Sequence, residues 1–215
     1  MPTALSLLLR GLLLLLCAVG VWNALFRRKG GFMNAGGILY YTIQSNLWVF
    51  AVTALHIALS LARPGGVACR ALELLRYAVL VGITLTFLVF WLALAPKLER
   101  EYLLSPNNWL VHTLVPLLFI ADFFLIDPIA PLTRAEALWA VAMPLYYFIF
   151  TLLHARLNPR LRFPEDSRYP YYFLDADRLG WFRLKNGPGV FWWALLLFTI
   201  TLGLGFFYRW LITVV

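Results

Sequence analysis

Long apolar stretches separated by short polar breaks dominate the hydrophobic pattern of the chain. Six of these stretches have about the 20 residues that an α-helix needs to cross the ~30 Å hydrocarbon core of a bilayer. They predict membrane spans at about 5–26, 38–62, 71–95, 109–126, 135–153 and 190–214. The pattern therefore predicts an all-α integral membrane protein with a single transmembrane helical domain (1–215), a six-transmembrane-helix bundle.

Each break between the predicted spans contains glycine or proline, which end helices. The fifth break, 154–189, is much longer than the others and carries the aromatic run Tyr169-Pro170-Tyr171-Tyr172-Phe173. Such a segment is too apolar for a solvated linker, and its proline and acidic residues prevent it from spanning the bilayer. We expect this aromatic-rich loop between helices 5 and 6 to fold back onto the mouth of the bundle, as a lid or as a structural cap.

Composition and charge agree with a membrane location. Hydrophobic residues make up 62% of the 215 residues and charged residues 13%, which excludes a soluble protein. The net charge of +8 comes from Lys and Arg in clusters between apolar runs, not from a basic domain, so no nucleic-acid partner is expected. Twelve of the 18 Lys and Arg residues lie in loops one, three and five. The other side has six, if Arg10 snorkels outward and is counted with them. This asymmetry predicts that those loops are cytoplasmic and both termini are outside.

A run of polar residues, Tyr41 to Asn46, lies at the start of the second predicted span. Polar side chains in hydrocarbon each need a partner and by default suggest function. Spans two and four start from the same membrane face, which places Thr42 and His112, each about one turn in, at similar depth. A threonine nucleophile with a histidine base is one interpretation. The alternative is that Thr42 bonds back to its own helix and His112 to a helix carbonyl or a partner side chain.

Three further residues are substrate-binding or oxyanion candidates near this pair. Asn46 follows Thr42 by four residues on the same helix face, where it holds the hydroxyl, donates to an oxyanion, or simply bonds between helices. Gln44 or a backbone amide is an alternative oxyanion donor, and Tyr41 adjoins the nucleophile. The sequence does not choose among them.

Two more candidates lie farther along the chain. His154 is expected near the end of helix five, at the face where Thr42 lies. Asp122 stands ten residues after His112 and is too deep to orient that imidazole, so pairing with an arginine or a hydroxyl is expected, with a proton relay as the alternative. Helices four and five also contain Pro116 and Pro144, whose kinks either open space for a ligand or reflect ordinary packing.

No metal or other cofactor is expected. His56, His112 and His154 lie on separate predicted helices without a carboxylate or cysteine cluster, which is a poor arrangement for a metal. Haem bound by His112 and His154 is an alternative, and it would colour the purified protein.

Three stretches resemble the androgen-induced-gene family of multi-pass membrane proteins, and in particular its bacterial branch. They are Tyr41 to Asn46, His112 to Pro116 followed by Asp122, and Tyr169 to Asp175. Their order and the six-span layout cover nearly the whole chain. Animal members are hydrolases of fatty acid esters of hydroxy fatty acids that use an intramembrane threonine and histidine. The resemblance implies that Thr42 is the nucleophile and His112 the base, with a lipid substrate from the bilayer and a location in a bacterial inner membrane.

The expected function is therefore that of an intramembrane threonine hydrolase that cleaves lipid esters. The alternative is a non-catalytic lipid-binding or transport-like bundle, in which Thr42 and Asn46 bind a headgroup and His112 gates by protonation.

Overall fold

The computed structural model of the chain describes residues 4–26, 35–62, 69–163, 166–185 and 187–214. It is about 82% helical, and the described residues contain no β-strand. Six helices in these ranges are long and apolar enough to span a bilayer: α1 (Ala4–Phe26), α2 (Tyr41–Ala62), α3 (Arg70–Lys97), α4 (Pro106–Ile126), α5 (Arg134–Leu157) and α6 (Val190–Val214). The predicted all-α six-helix fold is confirmed.

Some helices begin or end a few residues from their predicted limits. Helix α2 begins at Tyr41, three residues late, because Ala35–Leu39 forms a separate 3-10 turn. Helix α5 begins with a capping box, in which the side chains of Thr133 and Glu136 each bond to the other residue's backbone N–H, and it continues to Leu157. Shorter helical turns occupy Arg100–Leu103, Tyr172–Leu174 and Ala176–Leu179.

Proline changes the winding of two helices near the middle of the bundle. In α4, Pro116 has no amide to donate and its ring crowds the carbonyl of His112, and the helix widens into a π-turn at Leu110–Leu114. The N–H of Val115 accordingly bonds to the carbonyl of Leu110, five residues back. In α5, Pro144 follows a 3-10 turn and lies in the first turn of the segment Ala142–Leu157, where a missing amide costs little.

Helix α3 is the most buried of the six helices, and the others pack around it. Its residues 77–83 are almost completely enclosed and form the centre of the apolar core. Gly205 of α6 lies against Ala140 of α5 and the hydroxyl of Tyr77, too close for a larger side chain. The three helices α3, α5 and α6 are therefore packed tightly at this level.

Because the six helices alternate in direction, their connections lie on two faces. We call the side with the α1–α2, α3–α4 and α5–α6 connections the odd-loop face, and the side with both chain ends the terminal face. Thr42 and His112 lie near the odd-loop face.

An ion-pair cluster joins four helices near the terminal face. Arg10 of α1 lies 2.7 Å from Asp122 of α4, and Arg76 of α3 lies 3.6 Å from the same carboxyl. Asp127 accepts from both arginines and, at 2.9 Å, contacts His56 of α2. Burial raises the pKa of Asp127, but the hydrogen bond with His56 and the arginine charges outweigh it and lower the pKa to about 2. This carboxyl is therefore ionised at neutral pH.

The expectation that Arg10 snorkels outward is wrong. Its side chain is only 3% exposed, because the Asp122 carboxylate offers a buried counter-charge inside the bundle. The expectation that Asp122 pairs with an arginine is confirmed.

We predict that Asp122→Asn lowers the free energy of unfolding by roughly 3 kcal/mol, because it leaves Arg10 and Arg76 buried with one counter-charge fewer. The measurement is unfolding in mixed detergent micelles. Asp166→Asn is the matched control, since this carboxyl pairs with Arg162 but is 84% exposed, and surface pairs contribute little. Equal effects of the two substitutions would contradict a stabilising role for the buried cluster.

Candidate active site

The structure brings Thr42 and His112 together. The Oγ1 atom of Thr42, in the first turn of α2, lies 3.1 Å from Nε2 of His112, in the π-turn of α4. Both side chains are buried. The widened turn before Pro116 thus carries the imidazole that contacts the threonine.

The second ring nitrogen of His112 determines the tautomer. Nδ1 lies 3.2 Å from the carbonyl oxygen of Asn108, which can only accept, so Nδ1 carries the proton. Nε2 then has a free lone pair and accepts from the hydroxyl of Thr42. The ring of Phe90 stacks on the imidazole, with centroids 3.7 Å apart and planes 19° apart, and fixes its orientation.

Asn46 connects the two halves of the pair through backbone groups. Its Nδ2 donates to the carbonyl of Thr42 at 2.8 Å and to the carbonyl of Val111, the residue before His112, at 3.0 Å. Both amide hydrogens are used in this way, so Asn46 forms the bond between helices that was the alternative to a role at the hydroxyl or the oxyanion. It holds α2 and α4 in register at the site.

Ser45 and Thr86 complete the polar network and were not singled out from the sequence. Ser45 donates to the carbonyl of Thr42 at 3.0 Å and lies 2.8 Å from the hydroxyl of Thr86 on α3. The signal was present in the sequence, since Ser45 belongs to the polar run, but the identity of its partner helix depends on packing.

The remaining candidate residues lie in different places. Gln44 donates to the carbonyl of Ile38 at 3.0 Å, and Tyr41 donates to the carbonyl of Gly82 at 3.2 Å; both bonds anchor the start of α2. Asp122 is in the ion-pair cluster, about 15 Å along the helix axis from the level of His112.

His154 lies near the end of α5, with its ring 5.9 Å from that of Phe150, and makes no described contact with Thr42. Among the described residues no group of three or more His, Cys, Asp or Glu side chains is placed to hold a metal ion.

An apolar cavity of about 70 Å³ lies beside Thr42. Its walls come from the start of α2, the second half of α3, the middle of α5, the first part of α6 and the fifth loop. The lining residues are Tyr41, Thr42, Leu85, Thr86, Val89, Phe90, Leu94, Pro144, Tyr147, Phe148, Tyr171, Phe173, Leu174, Ala194, Leu197 and Phe198. His112 is not among them, but Thr42 and Phe90, which both contact its imidazole ring, are. A molecule in the cavity is therefore in contact with Thr42, whose hydroxyl is bonded to the imidazole.

The aromatic-rich loop closes this cavity toward the odd-loop face. Tyr171 stacks on Phe173, with centroids 5.2 Å apart, and meets Tyr147 of α5 edge-on. Burial raises the pKa of Tyr171 to about 12, while the neighbouring hydroxyl and backbone N–H of Thr42 act in the opposite direction. The phenol is therefore neutral at the candidate nucleophile. The expectation that the loop folds back onto the bundle is confirmed.

Comparisons of the chain with protein-family models, with curated proteins and with solved structures found no match. The fold and the site define the chain as a multi-pass membrane protein with a buried threonine–histidine pair beside an apolar cavity.

We predict that Asn46→Ala lowers the free energy of unfolding by about 1–3 kcal/mol, because the buried carbonyls of Thr42 and Val111 lose a donor. Asn158→Ala is the matched control: its Nδ2 also donates to a helix carbonyl, that of His154, but the residue is exposed. Unfolding of both variants in mixed micelles measures the difference. A loss for Asn46→Ala no larger than that of the control would show that this bridge does not hold the helices.

Proposed function

We propose that the chain is an intramembrane threonine hydrolase that cleaves lipid esters, including fatty acid esters of hydroxy fatty acids. The observation that carries the proposal is that the Thr42 hydroxyl lies 3.1 Å from the unprotonated Nε2 of His112 and forms part of the wall of an apolar cavity. A hydroxyl with an adjacent base is an activated nucleophile. An apolar cavity inside a membrane bundle suits an acyl chain.

The first step is acylation of the threonine. Nε2 of His112 takes the hydroxyl proton as Oγ1 of Thr42 attacks the ester carbonyl carbon, and a tetrahedral oxyanion forms. The oxyanion collapses, the bond from carbon to the alcohol oxygen breaks, and the imidazolium returns its proton to that oxygen. The products are the free alcohol and an acyl-threonine.

The second step releases the acid. His112 takes a proton from a water molecule, whose oxygen attacks the acyl-threonine carbonyl. Breakdown of the second tetrahedral intermediate returns the proton from Nε2 to Oγ1 and frees the carboxylic acid. The carbonyl of Asn108 holds the Nδ1 proton throughout, so the ring stays correctly oriented and the imidazolium is stabilised.

Backbone amides are the best-placed oxyanion donors. Tyr41 and Thr42 begin helix α2, where the first N–H groups have no intrahelical acceptor, and both residues line the cavity. Their N–H groups meet the hydroxyl oxygen of Tyr171, so the substrate oxyanion takes the place of that oxygen. The side-chain amides of Asn46 and Gln44 are engaged with carbonyls instead.

We predict that Thr42→Val abolishes turnover of a panel of lipid esters by protein purified in detergent, whereas Thr42→Ser retains part of it because the hydroxyl remains. His112→Gln lowers kcat by about 10²–10⁴-fold, the usual contribution of a general base.

Thr53→Val is the matched control. Thr53 is buried on the same helix three turns away, and its hydroxyl has no hydrogen-bond partner among the described residues, so activity should not change. Equal turnover in all variants would place the activity elsewhere. Lipid binding that survives Thr42→Val in a protein without turnover would favour the non-catalytic lipid-binding bundle.

The proposal includes a location in a bacterial inner membrane with the odd-loop face in the cytoplasm. The resemblance to the bacterial branch supports the membrane, and the twelve Lys and Arg residues of loops one, three and five support the orientation. In this orientation water reaches Thr42 from the cytoplasmic side and the lipid from the bilayer.

We predict that an impermeant maleimide labels Cys69 in intact cells, but labels an Arg160→Cys variant at the new cysteine only after permeabilisation. Cys69 is exposed at the terminal face and Cys17 is buried, so the native chain provides the outside control. The Arg160→Cys change should be made in a Cys69→Ser background, so that the new cysteine is the only exposed one among the described residues and its labelling is measured separately from that of Cys69. Labelling of the fifth loop in intact cells would show that the odd-loop face is outside the cell, opposite to the proposed orientation.

A further inference from the structure

The cavity beside Thr42 lies where helices α5 and α6 separate. These helices contact each other mainly through residues 134–141 of α5, with Gly205 pressed against Ala140. Toward the odd-loop face they diverge, and the amino end of α6 packs on the fifth loop, with Trp193 meeting the rings of Tyr172 and Phe173. The two helices thus form a wedge that is closed at the level of Gly205 and holds the cavity at its open end.

Two aromatic rings form the outer edge of this wedge. Phe148 of α5 and Phe198 of α6 meet edge-on, with centroids 6.1 Å apart, and both line the cavity. Each is half-buried, and the adjacent Ile149 and Leu195 are 48% exposed on the outer surface of their helices. Because buried α3 forms the opposite wall, the side closed by these rings is the side that faces lipid.

We propose that the acyl chain of the substrate enters sideways from the bilayer between α5 and α6, past Phe148 and Phe198. Its carbonyl then lies at Thr42, its first carbons fill the cavity, and the rest of its length lies between the two helices toward the bilayer. This inference rests on the proposed hydrolase activity. It adds that the site selects the substrate by its acyl part, which must be a single unbranched chain. Apolar walls give no partner to a headgroup, and phenyl rings rotate to admit a chain about one methylene wide.

Ala194 is the residue that sets the room for the chain. It lines the cavity from α6, one turn before Phe198, and its small side chain is 9% exposed. A large side chain there would fill the space opposite α3 and leave the Thr42–His112 pair untouched, since neither residue of the pair is on α6. Ala194 is therefore a specificity-determining position.

The experiment measures kcat/KM for a series of 4-nitrophenyl esters with acyl chains of 4 to 16 carbons. Each buried methylene is worth roughly fourfold in binding, so Ala194→Trp should lower the ratio of the 16-carbon to the 4-carbon ester at least tenfold. Leu195→Trp, which adds bulk to the lipid-facing side of the same helix turn, should leave the ratio unchanged. Covalent labelling of Thr42 by a small fluorophosphonate, detected by intact mass, reports whether the pair is still assembled.

A second variant, which widens the entrance between α5 and α6, is expected to gain activity, and a misfolded protein would not. Phe198→Ala removes half of the outer edge, so methyl-branched acyl esters should gain at least tenfold relative to the straight-chain ester of equal length. Suppose that the wild type hydrolyses the series and is labelled at Thr42. If Ala194→Trp then has the same chain-length profile as the wild type, the acyl site is wrong and the hydrolase proposal stands. A wild type that neither labels nor hydrolyses any ester overturns both.

Discussion

Pairing of polar groups in the absence of water is the constraint on which the bundle depends. In the hydrocarbon region a hydrogen-bonding group that finds no partner costs several kcal/mol, so most buried polar side chains of the described residues bond to another group within the bundle, the Thr53 hydroxyl being an exception. The chain concentrates these groups at two levels. Near the terminal face, Arg10, Arg76 and His56 meet the carboxylates of Asp122 and Asp127 and join four helices. Near the odd-loop face, Asn46 joins α2 to α4 and Ser45 joins α2 to α3.

The second of these levels is also the site, and the same bonds that stabilise it orient its chemistry. The carbonyl of Thr42 is held by both Asn46 and Ser45, which places its hydroxyl at Nε2 of His112. The imidazole in turn is held by the carbonyl of Asn108 and the ring of Phe90. A pair constrained from both sides needs little rearrangement to transfer a proton, which is the geometry that general-base catalysis requires.

Two departures from regular helix lie at the site. The π-turns at Phe90–Leu94 and Leu110–Leu114 carry Phe90 and His112, which stack on each other. Pro144 begins the regular part of α5 and contributes to the cavity wall. The fifth loop supplies the remaining wall through Tyr171, Phe173 and Leu174. Base, nucleophile and cavity therefore come from different elements, which the apolar core around α3 brings together.

The sequence by itself determined the six spans, their alternation and the depth of the polar residues, because span length and hydrophobicity are local properties that the bilayer imposes on each helix separately. Matching depth was enough to pair Thr42 with His112 as candidates. Depth also placed Asp122 away from His112, and the cost of an unpaired buried charge predicted a partner, an arginine or a hydroxyl, without choosing between them.

Only the tertiary structure decided which helix faces which. Depth along the membrane normal is readable from sequence, but rotation about each helix axis and the choice of neighbours depend on packing of the whole bundle. For this reason the sequence alone did not show that Arg10 points into the bundle or that Asn46 bridges two backbone carbonyls. It also did not show that His154, although near the odd-loop face, lies away from Thr42 and His112. The cavity formed by α3, α5, α6 and the fifth loop has no sequence signature, since its apolar lining residues look the same as those that face lipid.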